Sequence, residues 1–149
     1  MAKRTLVLCT GNSCRSVMAE ALFNHLGNGE YEAVSAGSFP AGYVHPKSIE
    51  TLKRHGIDPG KPHSKSWDEF VGQPFDVVVT VCDQAAGESC PIFPGKPQKL
   101  HWSTPDPAKA TGTDEDVKAE FARVRQLIKD YCKEFVNENL ANERRDSKY

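Results

Sequence analysis

A cysteine and an arginine near the N-terminus have the spacing and surroundings of a nucleophile paired with an oxyanion-binding group. Cys9 follows the apolar run Leu6–Leu8, and five residues separate it from Arg15. The run predicts a short buried strand, and the apolar spacing after Arg15 predicts a helix that ends near Gly27. Cys9 is therefore predicted to lie where a strand gives way to a loop and a helix N-terminus.

The loop after Cys9 is predicted to bind a tetrahedral oxyanion. A helix N-terminus presents unpaired N–H groups, a loop of small residues aims more of them at the same point, and the planar guanidinium of Arg15 can grip two oxygens. Asn12 is expected to brace the loop, tolerating a left-handed conformation, and Ser16 to donate a hydrogen bond to the thiolate. In this setting the pKa of Cys9 is expected to fall below its usual value of about 8.5. The predicted binding residues are Thr10, Gly11, Asn12, Ser13, Cys14, Arg15 and Ser16.

Length and composition indicate one domain, residues 1–149, with a polar tail at 142–149 that is expected to fray. The 19 basic and 20 acidic residues nearly balance, which gives no support to a nucleic-acid or membrane partner. No apolar run approaches the roughly 18 residues of a membrane span, and no signal-peptide pattern is present. Five cysteines without an export signal predict thiols in the cytoplasm.

The order of strands and helices predicts an α/β fold, with a parallel four-stranded sheet covered by helices on both faces. The predicted strands are Leu6–Leu8, Tyr31–Ser35, Phe75–Val81 and Lys99–Trp102. Between and after them, helices are expected to start at Pro46, at a capping box from Ser66 and at a capping box from Thr113.

Ligands of such sheets bind beyond the carboxyl ends of the strands. Cys9, Ser35 and Cys82 lie at predicted strand ends, and Asp106 follows the last strand. These four residues are therefore expected to gather at one edge of the sheet.

Two further cysteines, Cys82 and Cys90, lie on the flank expected to face Cys9. Three thiols within reach of one another indicate serial thiol–disulfide exchange. Alternatively, Cys82 is a small buried apolar residue and Cys90 an idle loop thiol. A zinc site with His63 or His101 is a second alternative, although seven intervening residues are not a usual ligand spacing.

Asp106 is flanked by Pro105 and Pro107, which stiffen the backbone around its carboxyl group. If Asp106 reaches the oxyanion, it can serve as the general acid for a departing oxygen. An ordinary Asp-Pro turn is the alternative, and the expected place at the sheet edge favours the acid.

These residues together resemble the low-molecular-weight phosphotyrosine phosphatase family, and most closely its arsenate reductase branch. The segment from Cys9 to Ser16 resembles the family's phosphate-binding loop, and Cys82 with Cys90-Pro91 resembles the reductase's redox loop. His101-Trp102 followed by Asp106-Pro107-Ala108 resembles the acid motif. The phosphatase branch carries tyrosines after its Asp-Pro, so Ala108 favours the reductase branch.

The resemblance implies a phosphotyrosine phosphatase I-like fold and reduction of arsenate to arsenite for detoxification. Cys9 would attack arsenic while Asp106 assists a leaving oxygen, Cys82 would then form a disulfide with Cys9, and Cys90 would resolve it as Cys82–Cys90. It implies no tightly bound cofactor, a monomer, and an external reductant. Thioredoxin is that reductant in the most similar type, and glutathione with glutaredoxin is the alternative, because the Cys82–Cys90 spacing is one residue longer than expected. The alternative function is a protein tyrosine phosphatase using Cys9, Arg15 and Asp106.

Some members of the family also bind potassium near the loop. Asn12, Glu20 and Ser35 match that site, but Lys65 stands where a carboxylate would be needed. We therefore expect no bound metal and predict that the Lys65 ammonium replaces the cation.

Overall fold

The computed structural model describes residues 3–27, 29–82 and 97–146, with side chains described as far as residue 138. Four strands form one parallel sheet in the order β2-β1-β3-β4. This is the predicted α/β architecture. The strands are β1 (Lys3–Cys9), β2 (Tyr31–Gly37), β3 (Val77–Thr80) and β4 (Gln98–His101).

The register of the sheet places the carboxyl ends of the strands side by side. Cys9 pairs with Gly37, Leu8 with Thr80, and Thr80 with His101. The segments that leave these strands therefore start from one edge, as the sequence predicts. Cys9 is the last residue of β1, Ser35 lies near the end of β2, and Cys82 and Asp106 lie on the segments that follow β3 and β4.

Three α-helices lie within the described ranges, and two short 3₁₀ helices, Trp67–Phe70 and Pro107–Lys109, accompany them. Thr113 and Asp116 form the predicted capping box at the start of the longest helix, because each side chain accepts a hydrogen bond from the other residue's N–H. In the same ranges, no helix has the length and hydropathy that a bilayer crossing requires. The α-helices are α1 (Arg15–Leu26), α2 (Pro46–Arg54) and α3 (Asp114–Asp146).

The two faces of the sheet are covered differently. Val7, Val77 and Val79 pack into one apolar cluster with side chains from all three α-helices. Leu6, Leu8 and neighbours on the opposite face pack in a smaller cluster that Trp67 and Phe70 of the 3₁₀ helix adjoin. Helical segments thus lie on both faces. In the described ranges, however, all three α-helices pack in the larger cluster, and the 3₁₀ helix Trp67–Phe70 adjoins the smaller one.

Several element ends differ from the expectations. Ser66 starts a 3₁₀ turn in which its hydroxyl accepts from the N–H of Asp68, instead of a capping box with Glu69. The reason is that Gly72 and Pro74 follow too soon for an α-helix to develop. β2 continues past Ser35, β3 is shorter than Phe75–Val81, and α3 runs to Asp146, into the segment expected to fray.

Candidate active site

The loop between β1 and α1 is shaped by Asn12, which adopts a left-handed backbone conformation with φ of 48°. The Asn12 side chain is fully buried. Its amide nitrogen donates to the hydroxyls of Ser16 (2.8 Å) and Ser35 (3.0 Å), and its amide oxygen accepts from the N–H of Lys65 (2.9 Å). Asn12 therefore braces the loop against β2 and against the segment before Trp67, as the sequence predicts.

The backbone of the loop is held from outside by residues 39–45. Their N–H groups donate to loop carbonyls, and in each planar trans peptide the C=O and N–H point in opposite directions. The N–H groups that follow these carbonyls therefore face the inner side of the loop, an arrangement that suits an oxyanion. The bonds run from Phe39, Ala41 and His45 to the oxygens of Thr10, Gly11 and Ser13, at 3.0, 2.8 and 3.0 Å, respectively.

Gly37 explains why β2 can approach the loop so closely. A β-carbon at this position would lie 2.4 Å from the carbonyl oxygen of Thr10 and 2.9 Å from that of Cys9. Because real β-carbons do not approach backbone oxygens that closely, a side chain here would push the loop away from the sheet. The close contact between β2 and the loop is therefore the physical reason for a glycine at this position.

Cys9 lies at the end of β1, is only 4% exposed, and contacts Cys82. The expectation of a lowered pKa is wrong for this arrangement. The hydrogen bond with the Cys82 thiol and burial raise the pKa of Cys9, and the Arg15 guanidinium and the N–H of Thr10 only partly oppose them. The Cys82 sulfur and burial thus favour the protonated form of the Cys9 thiol.

Cys82 follows β3 and is 1% exposed. Its sulfur lies 3.5 Å from the hydroxyl oxygen of Thr10, so the loop also supplies a polar contact to the second thiol. The structure therefore brings Cys82 to the mouth of the loop, next to the sulfur that it would have to attack.

Arg15 begins α1, and its guanidinium reaches across to the segment after β4. Its Nη1 donates to the carbonyl oxygen of Thr104 (2.9 Å), and its Nη2 lies 3.9 Å from a carboxylate oxygen of Asp106. The guanidinium is thus held through Nη1 by Thr104, and its Nη2 lies beside the Asp106 carboxylate. This is the arrangement expected of an anion-binding arginine next to a general acid.

Asp106 is fixed by its own turn. One carboxylate oxygen accepts from the N–H of Ala108 (3.0 Å), and the residue caps the 3₁₀ helix Pro107–Lys109. The two interpretations of Asp106, an ordinary Asp-Pro turn and a residue of the site, are therefore compatible, because the turn directs the other carboxylate oxygen toward Arg15.

The predicted cation-site residues are also together. The Ser35 hydroxyl, which accepts from Asn12, donates to Glu20 (3.3 Å), and the Lys65 ammonium donates to the carbonyl oxygen of His63 (3.0 Å). Lys65 is 8% exposed, and burial raises the pKa of Glu20, which the charge of Lys65 partly offsets. A positive side chain thus balances the half-buried carboxyl group beside the loop.

Potassium is expected to leave the thermal midpoint and the activity unchanged relative to sodium at equal ionic strength, because Lys65 already supplies a positive charge. Lys65→Gln should lower Tm by about 3 °C at neutral pH, since the half-buried charge of Glu20 is left uncompensated at a cost of roughly 1 kcal/mol. Because the pKa of Glu20 is raised in the folded protein, its neutral carboxyl group contributes stability in acid, and this contribution is lost as the pH rises and the group ionises. The Lys65→Gln deficit should therefore shrink near pH 4, where Glu20 is neutral.

The matched control is Glu20→Gln combined with Lys65→Gln, measured by thermal unfolding at both pH values. It should remove most of the pH dependence of the deficit. A clear potassium-specific rise in Tm or activity of the unmodified protein would show that Lys65 does not replace the cation.

The remaining cysteines and Ser16 are placed as follows. The side chains of Cys14, in the predicted binding loop, and of Cys132, on α3, are buried in the core, and burial raises the pKa of both thiols, so both side chains have packing roles. The Ser16 hydroxyl oxygen accepts from Asn12. Cys90 lies outside the described residues. Among the residues that are described, no three His, Cys, Asp or Glu side chains are grouped as metal ligands.

Sequence reasoning missed Thr104 and residues 39–45. Thr104 is 6% exposed, its hydroxyl donates to the carbonyl oxygen of Val81, and its own carbonyl holds Arg15. Residues 39–45 hold the loop through backbone N–H groups, and Thr104 holds Arg15 through its backbone carbonyl. Residue type therefore gives little indication of these contacts.

Comparison with known proteins agrees with this geometry. The family model for low molecular weight phosphotyrosine protein phosphatase matches residues 4–146. The arsenate reductase of Halalkalibacterium halodurans is 43% identical over 87% of this chain and 91% of its own length. The arsenate reductase of Bacillus subtilis is 41% identical over the same shares of the two chains.

A solved structure gives the same result for the fold. The crystal structure of arsenate reductase from Archaeoglobus fulgidus superposes with a TM-score of 0.70 and 33% sequence identity, over 89% of this chain and 98% of the other. The family match over residues 4–146 spans the four strands, the Thr10–Ser16 loop and Asp106.

Proposed function

Since this chain belongs to the low molecular weight phosphotyrosine protein phosphatase family, we propose that it reduces arsenate to arsenite. The contact between the thiols of Cys9 and Cys82 carries the proposal. A phosphatase needs one nucleophile, an anion clamp and an acid, and gains nothing from a second buried thiol against the first. The names of the relatives at 41 and 43% identity support the same substrate.

Arsenate is a tetrahedral oxyanion, and its binding begins the reaction. The inward N–H groups of the Thr10–Ser16 loop and the Arg15 guanidinium hold its oxygens. The Cys9 sulfur attacks arsenic as a thiolate and forms an S–As bond, and one oxygen leaves as water with a proton from Asp106. Loss of a proton from the Cys9–Cys82 pair must precede attack, and the Arg15 charge favours the resulting anion.

The redox step follows from the second thiol. The Cys82 thiolate attacks the Cys9 sulfur, an S–S bond forms, and the S–As electron pair stays on arsenic. Arsenic(V) thereby becomes arsenic(III) and leaves as arsenite. Cys90 then attacks the Cys82 sulfur and releases the Cys9 thiolate, leaving a Cys82–Cys90 disulfide. Two electrons have moved from the thiols to arsenic.

An external dithiol must restore Cys82 and Cys90 after each cycle. We propose a thioredoxin-type protein as the donor, acting on a monomeric enzyme in the reducing cytoplasm, where thiols stay available. Glutathione with glutaredoxin is the other donor that the relay would accept. No tightly bound cofactor takes part in these steps.

The test is arsenite production by the wild-type protein with thioredoxin, thioredoxin reductase and NADPH, beside a parallel assay with glutathione and glutaredoxin. Sustained arsenite formation with one of the two systems is expected, and the active system identifies the reductant class. The same protein is also expected to hydrolyse an aryl phosphate slowly, because the loop, Arg15 and Asp106 serve both reactions. Aryl phosphate hydrolysis without any arsenite would identify a phosphatase instead.

A further inference from the structure

Thr104 connects three parts of the proposed site, although no step of the reaction uses it. Its side chain is 6% exposed, and its hydroxyl donates to the carbonyl oxygen of Val81. Val81 is the residue before Cys82. The segment after β4 is thereby fastened to the chain that leaves β3.

The backbone of the same residue holds the anion clamp. The carbonyl oxygen of Thr104 accepts from Nη1 of Arg15 at 2.9 Å. Asp106, two residues further on, has a carboxylate oxygen 3.9 Å from Nη2 of the same guanidinium. Because the guanidinium is planar, one fixed hydrogen bond to Nη1 restricts the plane in which the remaining N–H groups lie.

Packing fixes the residues on both sides of Thr104. The Trp102 ring stacks between Phe23 and Tyr131, at centroid distances of 5.4 and 5.5 Å, and the Tyr131 hydroxyl donates to the carbonyl oxygen of Ser103 (3.3 Å). Pro107 is buried on the other side. The position of the Thr104 carbonyl within this anchored stretch is then set by its own hydroxyl bond.

We propose that Thr104 is a positioning residue for oxyanion binding, which orients the Arg15 fork through its carbonyl while its hydroxyl keeps that carbonyl in place. Nη2 and Nε of Arg15 are left to face the oxyanion. The role deepens the proposed function, since the anion is arsenate there, but inorganic phosphate is a tetrahedral probe of the same loop that requires no redox chemistry.

The experiment compares Thr104→Val with Thr104→Ser. Valine keeps the shape and removes the hydroxyl, whereas serine keeps the hydroxyl. Thr104→Val should raise the Kd for phosphate, measured by calorimetry, and the KM for arsenate by about 10-fold, which corresponds to about 1.4 kcal/mol. Its kcat should change less than threefold, and the serine variant should stay within twofold of wild type in both constants.

Two controls separate positioning from general destabilisation. Thr5→Val removes a buried hydroxyl at the amino end of β1 and should leave phosphate affinity unchanged. In an Arg15→Lys background, Thr104→Val should add little to the loss of phosphate affinity, because the group through which Thr104 acts is gone.

Unchanged phosphate affinity in Thr104→Val would overturn the proposal, even if its Tm falls. A 10-fold loss that persists in full on the Arg15→Lys background would overturn it as well. If the valine variant does not fold, Thr104→Ala removes the same hydroxyl without added bulk and is held to the same criteria. Failure of the wild type to make arsenite would refute the proposed function while leaving the phosphate measurements decisive for Thr104.

Discussion

Cys9→Ser should abolish turnover of both arsenate and aryl phosphate, lowering kcat by roughly 10⁴-fold or more. A serine hydroxyl does not ionise near neutral pH. Among the described residues, the polar groups that act on position 9 are Arg15, Cys82 and Thr10, and none of these is a His or Lys base that would activate a serine. Phosphate binding should remain, because Arg15 and the loop N–H groups are untouched. Steady-state kinetics with both substrates and phosphate calorimetry test this expectation.

The matched control is Cys132→Ala, which alters a buried thiol of α3 that packs in the core. It should retain turnover within a few-fold of wild type, although it will lower stability by creating a small cavity. Turnover by the folded Cys9→Ser variant within 10-fold of wild type would show that another group is the nucleophile.

Arg15→Lys should lower kcat/KM for arsenate by about 100- to 1,000-fold, which is roughly 3–4 kcal/mol of transition-state stabilisation. In the structure Nη1 of Arg15 is bound to Thr104 while Nη2 lies beside Asp106, so the fork serves several partners at once. A lysine ammonium is a point charge on a flexible stem and cannot keep this geometry. Phosphate affinity should fall in parallel.

Arg123→Lys is the control for this change. Arg123 is 62% exposed and pairs with Glu120 on the surface of α3, so its replacement should leave kcat/KM unchanged. An Arg15→Lys variant with the kinetic constants of wild type would show that the guanidinium does not stabilise the transition state.

The sequence predicts the parts of the site that local motifs specify. The strand–loop–helix unit from β1 to α1 follows from apolar spacing and small residues, and the parallel sheet then brings Cys82 and Asp106 to the edge that holds Cys9. The bracing role of Asn12 can also be predicted from the sequence, because few side chains tolerate a positive φ. These features depend on residue type and chain order.

The features that were missed depend on tertiary contact. The pKa of Cys9 is raised by its hydrogen bond with the Cys82 thiol and by burial; the sequence predicts that Cys82 lies near Cys9, but not that the two thiols are in hydrogen-bond contact. Thr104 acts through a carbonyl oxygen, which every residue carries, so its role appears only once Arg15 is seen against it. The helical cover of the second sheet face differs because Trp67–Phe70 forms a 3₁₀ turn that ends before Gly72 and Pro74.

Attack of Cys82 on the Cys9 sulfur is tested by a single turnover of Cys90→Ser with arsenate and no added reductant. We expect one arsenite per enzyme and a Cys9–Cys82 disulfide in the peptide map by mass spectrometry. Wild type should give one arsenite and a Cys82–Cys90 disulfide, and Cys82→Ser should release none. Release of arsenite by Cys82→Ser, or the absence of a Cys9–Cys82 disulfide in Cys90→Ser, would contradict the relay.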